Sequence, residues 1–219
     1  ALRRAVGDAD GARGEGGLMG LAVHPKFPTE PYIYAMYTWR GVRGVRNRIV
    51  RLVDRGTHGV FDKIVLGGVP GALFHNGGRI AFGPDGMLYA TTGEIFEMHM
   101  AQDLKAFGGK VLRIDPGGGI PSDNPFPNSP VWSYGHRNPQ GLDVSVDGTI
   151  YLHEHGPKGG DELNRITAGA NYGWPAVTYG DNYSGAYVSP LTAYPGTEQP
   201  LHYWVPSIAP SGLVVYQGD

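Results

Sequence analysis

A unit of two strands and a turn recurs along this chain, and nothing else in the sequence restricts the fold as much. Four segments join a loop to a glycine and an apolar run: residues 20–23 (GLAV), 78–82 (GRIAF), 141–144 (GLDV) and 212–215 (GLVV). Their leading glycines, at 20, 78, 141 and 212, stand 58, 63 and 71 residues apart. In the first three units a second apolar run follows, at 32–37, 87–91 and 149–153. Twice it lies across an Asp-Gly pair, Asp85-Gly86 and Asp147-Gly148, which suits a tight hairpin. Each unit reads as a small antiparallel sheet. Sheets repeated at such a period, each burying its faces against its neighbours, are the parts of a β-propeller. Recurrence in the same order favours this over an irregular β-sandwich whose turns repeat by chance.

Composition agrees with many short strands and tight turns. The 219 residues include 36 Gly, 18 Pro and 13 Tyr, and sustained helical periodicity is almost absent. The expectation is all-β, with one short helix at 98–107 ended by Gly108-Gly109. At 41% hydrophobic and 17% charged, the chain is long enough for one large domain with a true core. A net charge of −2 argues against nucleic acid as the main partner. The basic run at 40–48 is interrupted by glycines and reads as a solvated strand face. Without cysteine there is no disulfide, thiolate metal site or cysteine nucleophile. No apolar run approaches transmembrane length, so no membrane insertion is expected, and no leader follows Ala1.

In a ring of blades, loops entering the innermost strands gather around the central axis, so residues distant in sequence converge. Those loops carry Glu15, then Phe74-His75-Asn76-Gly77, then His136-Arg137-Asn138, then residues 207–211. The exits of the second strands add Glu94 and residues 154–162 from the same end. A carboxylate, imidazoles, a guanidinium, amides and glycine-kinked backbone together describe a candidate active site. Taken alone, HNGG at 75–78 reads more readily as an ordinary turn than as a site.

Six segments in order carry a resemblance: EGGLMGLAVHPKF (15–27), HNGGRIAFGPDGMLYATTGE (75–94), DNPFPNSPVWSYGHRNPQGL (123–142), EHGPKGGDELN (154–164), NYGWP (171–175) and PSIAPSGLVVY (206–216). The chain resembles the glucose/sorbosone dehydrogenase family, which includes soluble quinoprotein glucose dehydrogenases and aldose sugar dehydrogenases. That resemblance implies a six-bladed β-propeller of four-stranded blades binding pyrroloquinoline quinone (PQQ) and calcium. It implies oxidation of an aldose at its anomeric carbon to the lactone, with electrons passed to an external acceptor in a periplasmic or secreted setting. By the same resemblance His75 is the general base and Arg137 stabilises charge on the reduced quinone. Glu15, Asn76, Arg137 and Asn138 are implied to bind cofactor, with Glu15 standing where relatives carry glutamine. The Gly156 and Pro157 carbonyls match those holding the cofactor's calcium, and Glu162 with the Tyr172 carbonyl matches a second, structural calcium site. For Glu162 an exposed turn carboxylate is the simpler reading, and for Tyr172 packing; His136 and His155 read as structural.

The resemblance also implies more blades than this sequence supplies. Residues 1–219 are expected to form a single propeller domain of about three to four blades, a fragment without the first and the last blades, and without their cofactor-binding lysine and arginines. Two other functions stay open: a sugar-binding propeller without turnover, and a calcium-dependent lactonase.

Overall fold

The computed structural model describes residues 14–42 and 44–218. Arg43 of the basic run and residues 1–13 fall outside them. Three four-stranded antiparallel sheets follow one another along the chain. The first contains β1 (Leu18–Val23), β2 (Tyr32–Gly41), β3 (Gly44–Asp54) and β4 (Gly59–Pro70). The second contains β5 (Gly77–Phe82), β6 (Leu88–Thr92), β7 (Lys110–Ile114) and β8 (Val131–Tyr134). The third contains β9 (Pro139–Val144), β10 (Ile150–Glu154), β11 (Asp161–Ile166) and β12 (His202–Trp204). Within each sheet the strands pair in chain order. Across sheets, β1 packs beside β5 and β5 beside β9. These three innermost strands face a common axis, so the sheets are blades of a β-propeller.

The cores lie between blades. Tyr34, Met36 and Ile49 of the first blade meet Leu88, Leu112 and Ile114 of the second, all at most 1% exposed. Tyr89 and Val111 then meet Leu142, Ile150 and Leu152 of the third. Alternation explains the division, because successive strand residues point to opposite faces and each central blade needs both faces apolar. The Asp-Gly hairpins form where the sequence puts them. Asp85 Oδ1 accepts the Met87 amide at 3.0 Å, and Asp147 Oδ1 the Thr149 amide at 2.9 Å.

Three expectations need adjustment. The helix at 98–107 is only a 3-10 turn over Met98–Ala101. Buried Lys110 is the physical reason: its Nζ donates to the carbonyls of Met100 (2.6 Å), Ala101 (3.0 Å) and Gly108 (2.7 Å), drawing the turn's carbonyls inward rather than along a helical ladder. Residues 212–215 are not part of a sheet; they are held instead by Val215 donating to Asp143 Oδ2 (2.7 Å) and by His153 against the Gly212 carbonyl (3.2 Å). In the basic run, Arg48 is no freely solvated charge, since its guanidinium lies 4.4 Å from the Trp39 ring centroid and its Nε donates to the Tyr37 hydroxyl.

Candidate functional site

The propeller axis brings the loops together at one end, around a cavity of about 530 Å³. Glu15, His75, Arg137, Asn138, Gly156 and Pro157 all line it, although 142 positions separate the first from the last.

His75 precedes β5 in the left-handed region (φ 56°), which for a residue with a Cβ is sustained only by its surroundings. Glu15 Oε2 accepts its amide at 2.8 Å, and its carbonyl accepts the Ile95 amide at 3.2 Å. Gly93 allows that approach: a Cβ there would stand 2.0 Å from the His75 carbonyl oxygen. The imidazole is 4% exposed and its Nδ1 is hydrogen bonded to Oε1 of fully buried Glu94. With Nδ1 donating to a carboxylate, Nε2 carries the free lone pair. Nε2 has no partner among the described residues, and His75 lines the cavity. Phe96, itself at φ 64°, stacks on the ring with centroids 3.9 Å apart and planes 21° apart.

Arg137 enters from the loop before β9. Its amide donates to Glu154 Oε2 at 2.6 Å, and its carbonyl accepts the Glu94 amide at 3.0 Å, which links it to the loop that holds His75. Its Nη1 donates to the carbonyls of His155 (3.0 Å) and Gly156 (2.7 Å), while Nη2 reaches the Tyr183 hydroxyl at 3.4 Å. The guanidinium lies 5.3 Å from the Trp174 ring centroid. Its Nε is buried without a partner, as are Glu94 Oε2 and Trp174 Nε1 nearby. Beside it, Asn138 donates to Glu15 Oε2 (3.1 Å) and accepts from the Gly77 amide (3.2 Å), so one side chain braces both the first and second blades.

Other residues named from the sequence lie elsewhere. Asn76 is buried outside the cavity, where its amide closes the 72–76 turn on Ala72 and accepts from Asn47. Gly156 and Pro157 present their backbone to the main cavity. Glu162 and Tyr172 line a separate space of about 10 Å³ behind Arg137, which Gly156 also touches. Burial, and then the neighbouring Glu154 carboxylate, push the Glu162 pKa up to about 8. Tyr172 stacks on His136 and donates its hydroxyl to the Arg165 carbonyl at 2.6 Å; burial pushes it up to about 12. Among the described residues no cluster of three His, Cys, Asp or Glu side chains could hold a metal. Any cation in the main cavity would draw on backbone carbonyls such as those of Gly156 and Pro157.

Glu94 is the residue whose partnership sequence reasoning missed. A signal was present, because a second histidine-glutamate pair, His136 and Glu154, recurs one blade later at nearly the same separation, 18 against 19 residues.

Over residues 5–219 the chain matches the family described as Glucose / Sorbosone dehydrogenase. It is 38% identical over 221 residues to the aldose sugar dehydrogenase YliI of Escherichia coli, an overlap of 95% of this chain and 60% of that protein. With quinoprotein glucose dehydrogenase B of Acinetobacter calcoaceticus it shares 36% identity over 215 residues, or 84% of this chain and 44% of that one. Among solved structures, the PQQ-bound aldose sugar dehydrogenase of Streptomyces coelicolor matches with a TM-score of 0.79 at 41% identity, covering 91% of this chain and 57% of that chain. The chain thus spans 44–60% of the length of these curated relatives.

Proposed function

This chain belongs to the glucose/sorbosone dehydrogenase family, and from that premise we propose that its cavity oxidises the anomeric carbon of an aldose with PQQ and calcium as cofactors, in a periplasmic or secreted setting, passing electrons to an external acceptor. One observation carries the reading: an imidazole held at Nδ1 by a buried carboxylate, with no partner at Nε2 among the described residues, lines the same cavity as a buried guanidinium.

Residues present fit such a cofactor. Arg137 has an unpartnered Nε, and Gly156 and Pro157, which line the cavity, carry carbonyls that are hard oxygen donors, the Gly156 carbonyl also accepting Arg137 Nη1. Bound PQQ would supply a quinone carbonyl carbon as hydride acceptor, and calcium would polarise that carbonyl. The chain's own part is proton transfer and positioning. His75 Nε2 takes the proton of the anomeric hydroxyl, and Glu94 holds the tautomer that leaves Nε2 free and steadies the imidazolium once formed. Arg137, anchored through two carbonyls and its amide, offers preorganised positive charge where an oxyanion develops. Glu15 and Asn138 hold the His75 backbone in place and leave polar edges toward the ligand. Glu162 and Tyr172 are assigned to a second, structural calcium site.

The propeller domain is proposed to be part of a longer ring. Leu18, Leu21 and Val23 of β1, each more than half exposed, offer an apolar face to a further blade.

The test adds PQQ and calcium to the full-length protein and follows aldose-dependent dye reduction. Turnover that disappears in His75→Ala, with PQQ still bound, is the expected result. A full-length protein that binds both yet reduces no dye with any aldose overturns the oxidoreductase reading and leaves a sugar-binding propeller or a calcium-dependent lactonase.

A further inference from the structure

Asp161, the first residue of β11, is fully buried and has no cationic partner among the described residues. Its carboxylate is instead saturated by four hydrogen bonds. Oδ1 accepts the Gly156 amide at 2.9 Å, and Oδ2 accepts the Ser207 hydroxyl (2.6 Å) and the amides of Ile208 (2.8 Å) and Ala209 (2.7 Å). A buried carboxylate is costly to remove from water, and such a set of donors is what makes its burial tolerable.

The donors come from two separate segments of chain that both line the main cavity: Gly156 in the β10–β11 loop, and Ser207 and Ala209 beyond β12. Asp161 itself does not line it. Residues 205–209 are otherwise exposed, and Ala209 stands at φ 47°, a left-handed conformation that a residue with a Cβ keeps only when something holds it. The Gly160 amide adds a parallel tie to the Trp204 carbonyl at 2.8 Å.

We propose that Asp161 is a positioning residue: a carboxylate latch that sets the Gly156–Pro157 backbone against the 206–209 segment and fixes the width of the cavity before any ligand enters. Groups that orient ligand-bearing backbone in this way typically change metal affinity about 10–100-fold when removed. Which ligand responds rests on the reading of the cavity as a PQQ and calcium site; the latch itself does not.

Asp161→Asn offers one oxygen and an NH₂ in place of two acceptors, so one segment must lose its partner. In hydrogen-exchange measurements on the full-length protein without ligands, protection of segments 155–160 and 205–211 is expected to fall at least about tenfold together, while β5–β7 are unchanged. The calcium concentration that half-saturates PQQ binding, followed by quinone absorbance without sugar, is expected to rise about 10–100-fold, with kcat at saturating calcium nearly restored. Ser207→Ala, which removes one bond of the four, gives the same pattern at smaller size and decides the matter if the Asn variant fails to fold. Unchanged exchange in either segment overturns the latch. If the wild-type protein binds neither PQQ nor calcium, the functional reading falls, and the exchange data still judge Asp161.

Discussion

Successive blades contain the same pair of side chains in the same place, and only one of the pairs is exposed to chemistry. In each, a histidine in the loop entering the innermost strand gives its Nδ1 to a glutamate at the exit of the next strand: His75 to Glu94, His136 to Glu154. Each imidazole is also stacked on an aromatic ring with planes 21° apart, Phe96 in one case and Tyr172 in the other. The difference is the second nitrogen. His136 Nε2 meets the Ser133 hydroxyl at 2.9 Å in a site with no exposure at all, whereas His75 Nε2 has no partner among the described residues and His75 lines the cavity. One geometry serves as a rivet or as a base, according to whether its far end is closed.

Removing the two imidazoles gives the largest contrast. Either substitution, His75→Gln or His136→Gln, leaves a buried carboxylate short of a donor, so both should lower the melting temperature, each by about 2 kcal/mol of stability. At temperatures well below both transitions, only His75→Gln should lose about 10²–10⁴-fold in kcat. Equal loss of turnover in the two variants would mean that the open nitrogen has no special part.

Glu94→Gln asks what the carboxylate does for the open pair. The amide cannot impose a single tautomer on the imidazole, so kcat should fall by about 10²–10³-fold with little change in KM. Glu154→Gln, at the closed pair, should act chiefly on stability, through the Arg137 amide that it also accepts.

The loops behind the two glutamates are pinned by opposite charges: Lys110 with three carbonyls behind Glu94, Asp161 with four donors behind Glu154. Lys110→Met leaves those carbonyls without a donor and should cost about 3 kcal/mol, read by denaturant titration. If turnover at saturating substrate is unaffected while stability falls, the cation is a rivet in its own right.

Much of this arrangement is legible in the residues. The glycines at 20, 78 and 141 lie on β1, β5 and β9, and the Asp-Gly hairpins follow from local turn chemistry that needs no partner. Glu15, His75, Arg137 and Asn138 meet because equivalent loops of a propeller share one end. What depends on register and side-chain reach was out of view. The Asp161 bonds span up to 48 residues and no local periodicity encodes them, while the Glu94 bond, across 19, shows only as a spacing repeated by His136 and Glu154. The 98–107 segment has helical composition, yet Lys110, further along the chain, takes its carbonyls. Asn76, beside the base in sequence, is turned away to close its own turn.

The closed pair has a carboxylate neighbour that gives it a pH response. Burial and the charge of Glu154 raise the Glu162 pKa from 4.5 to about 8, so the folded state binds this proton more tightly than the unfolded chain. The associated stability is fully present below pH 4.5 and is lost as pH rises through 8. In calcium-free protein the slope in that window should reach up to about 1.4 kcal/mol per pH unit, and Glu162→Gln should flatten it. Calcium bound at this carboxylate would favour its ionised form and reverse the trend; a pH profile identical with and without calcium would remove Glu162 from the metal site.

The stacked rings give the smallest and finest test. Phe96 is 55% exposed and Tyr172 only 4%, so the ring over the open histidine is held by its stack on the imidazole, an edge contact from Phe74 and the left-handed turn at Ile95 and Phe96. An aromatic contact of this kind contributes about 0.5–1.5 kcal/mol beyond the area it buries. Phe96→Leu should therefore reduce kcat about 2–10-fold by loosening the plane of His75, with a small effect on melting. Tyr172→Leu should do the reverse, since it breaks the buried stack on His136 and the hydroxyl bond to the Arg165 carbonyl while leaving the cavity's open nitrogen untouched. If Phe96→Leu changed KM for the sugar and left kcat alone, the ring would be a substrate contact and the His75 plane would be set by Glu94 unaided.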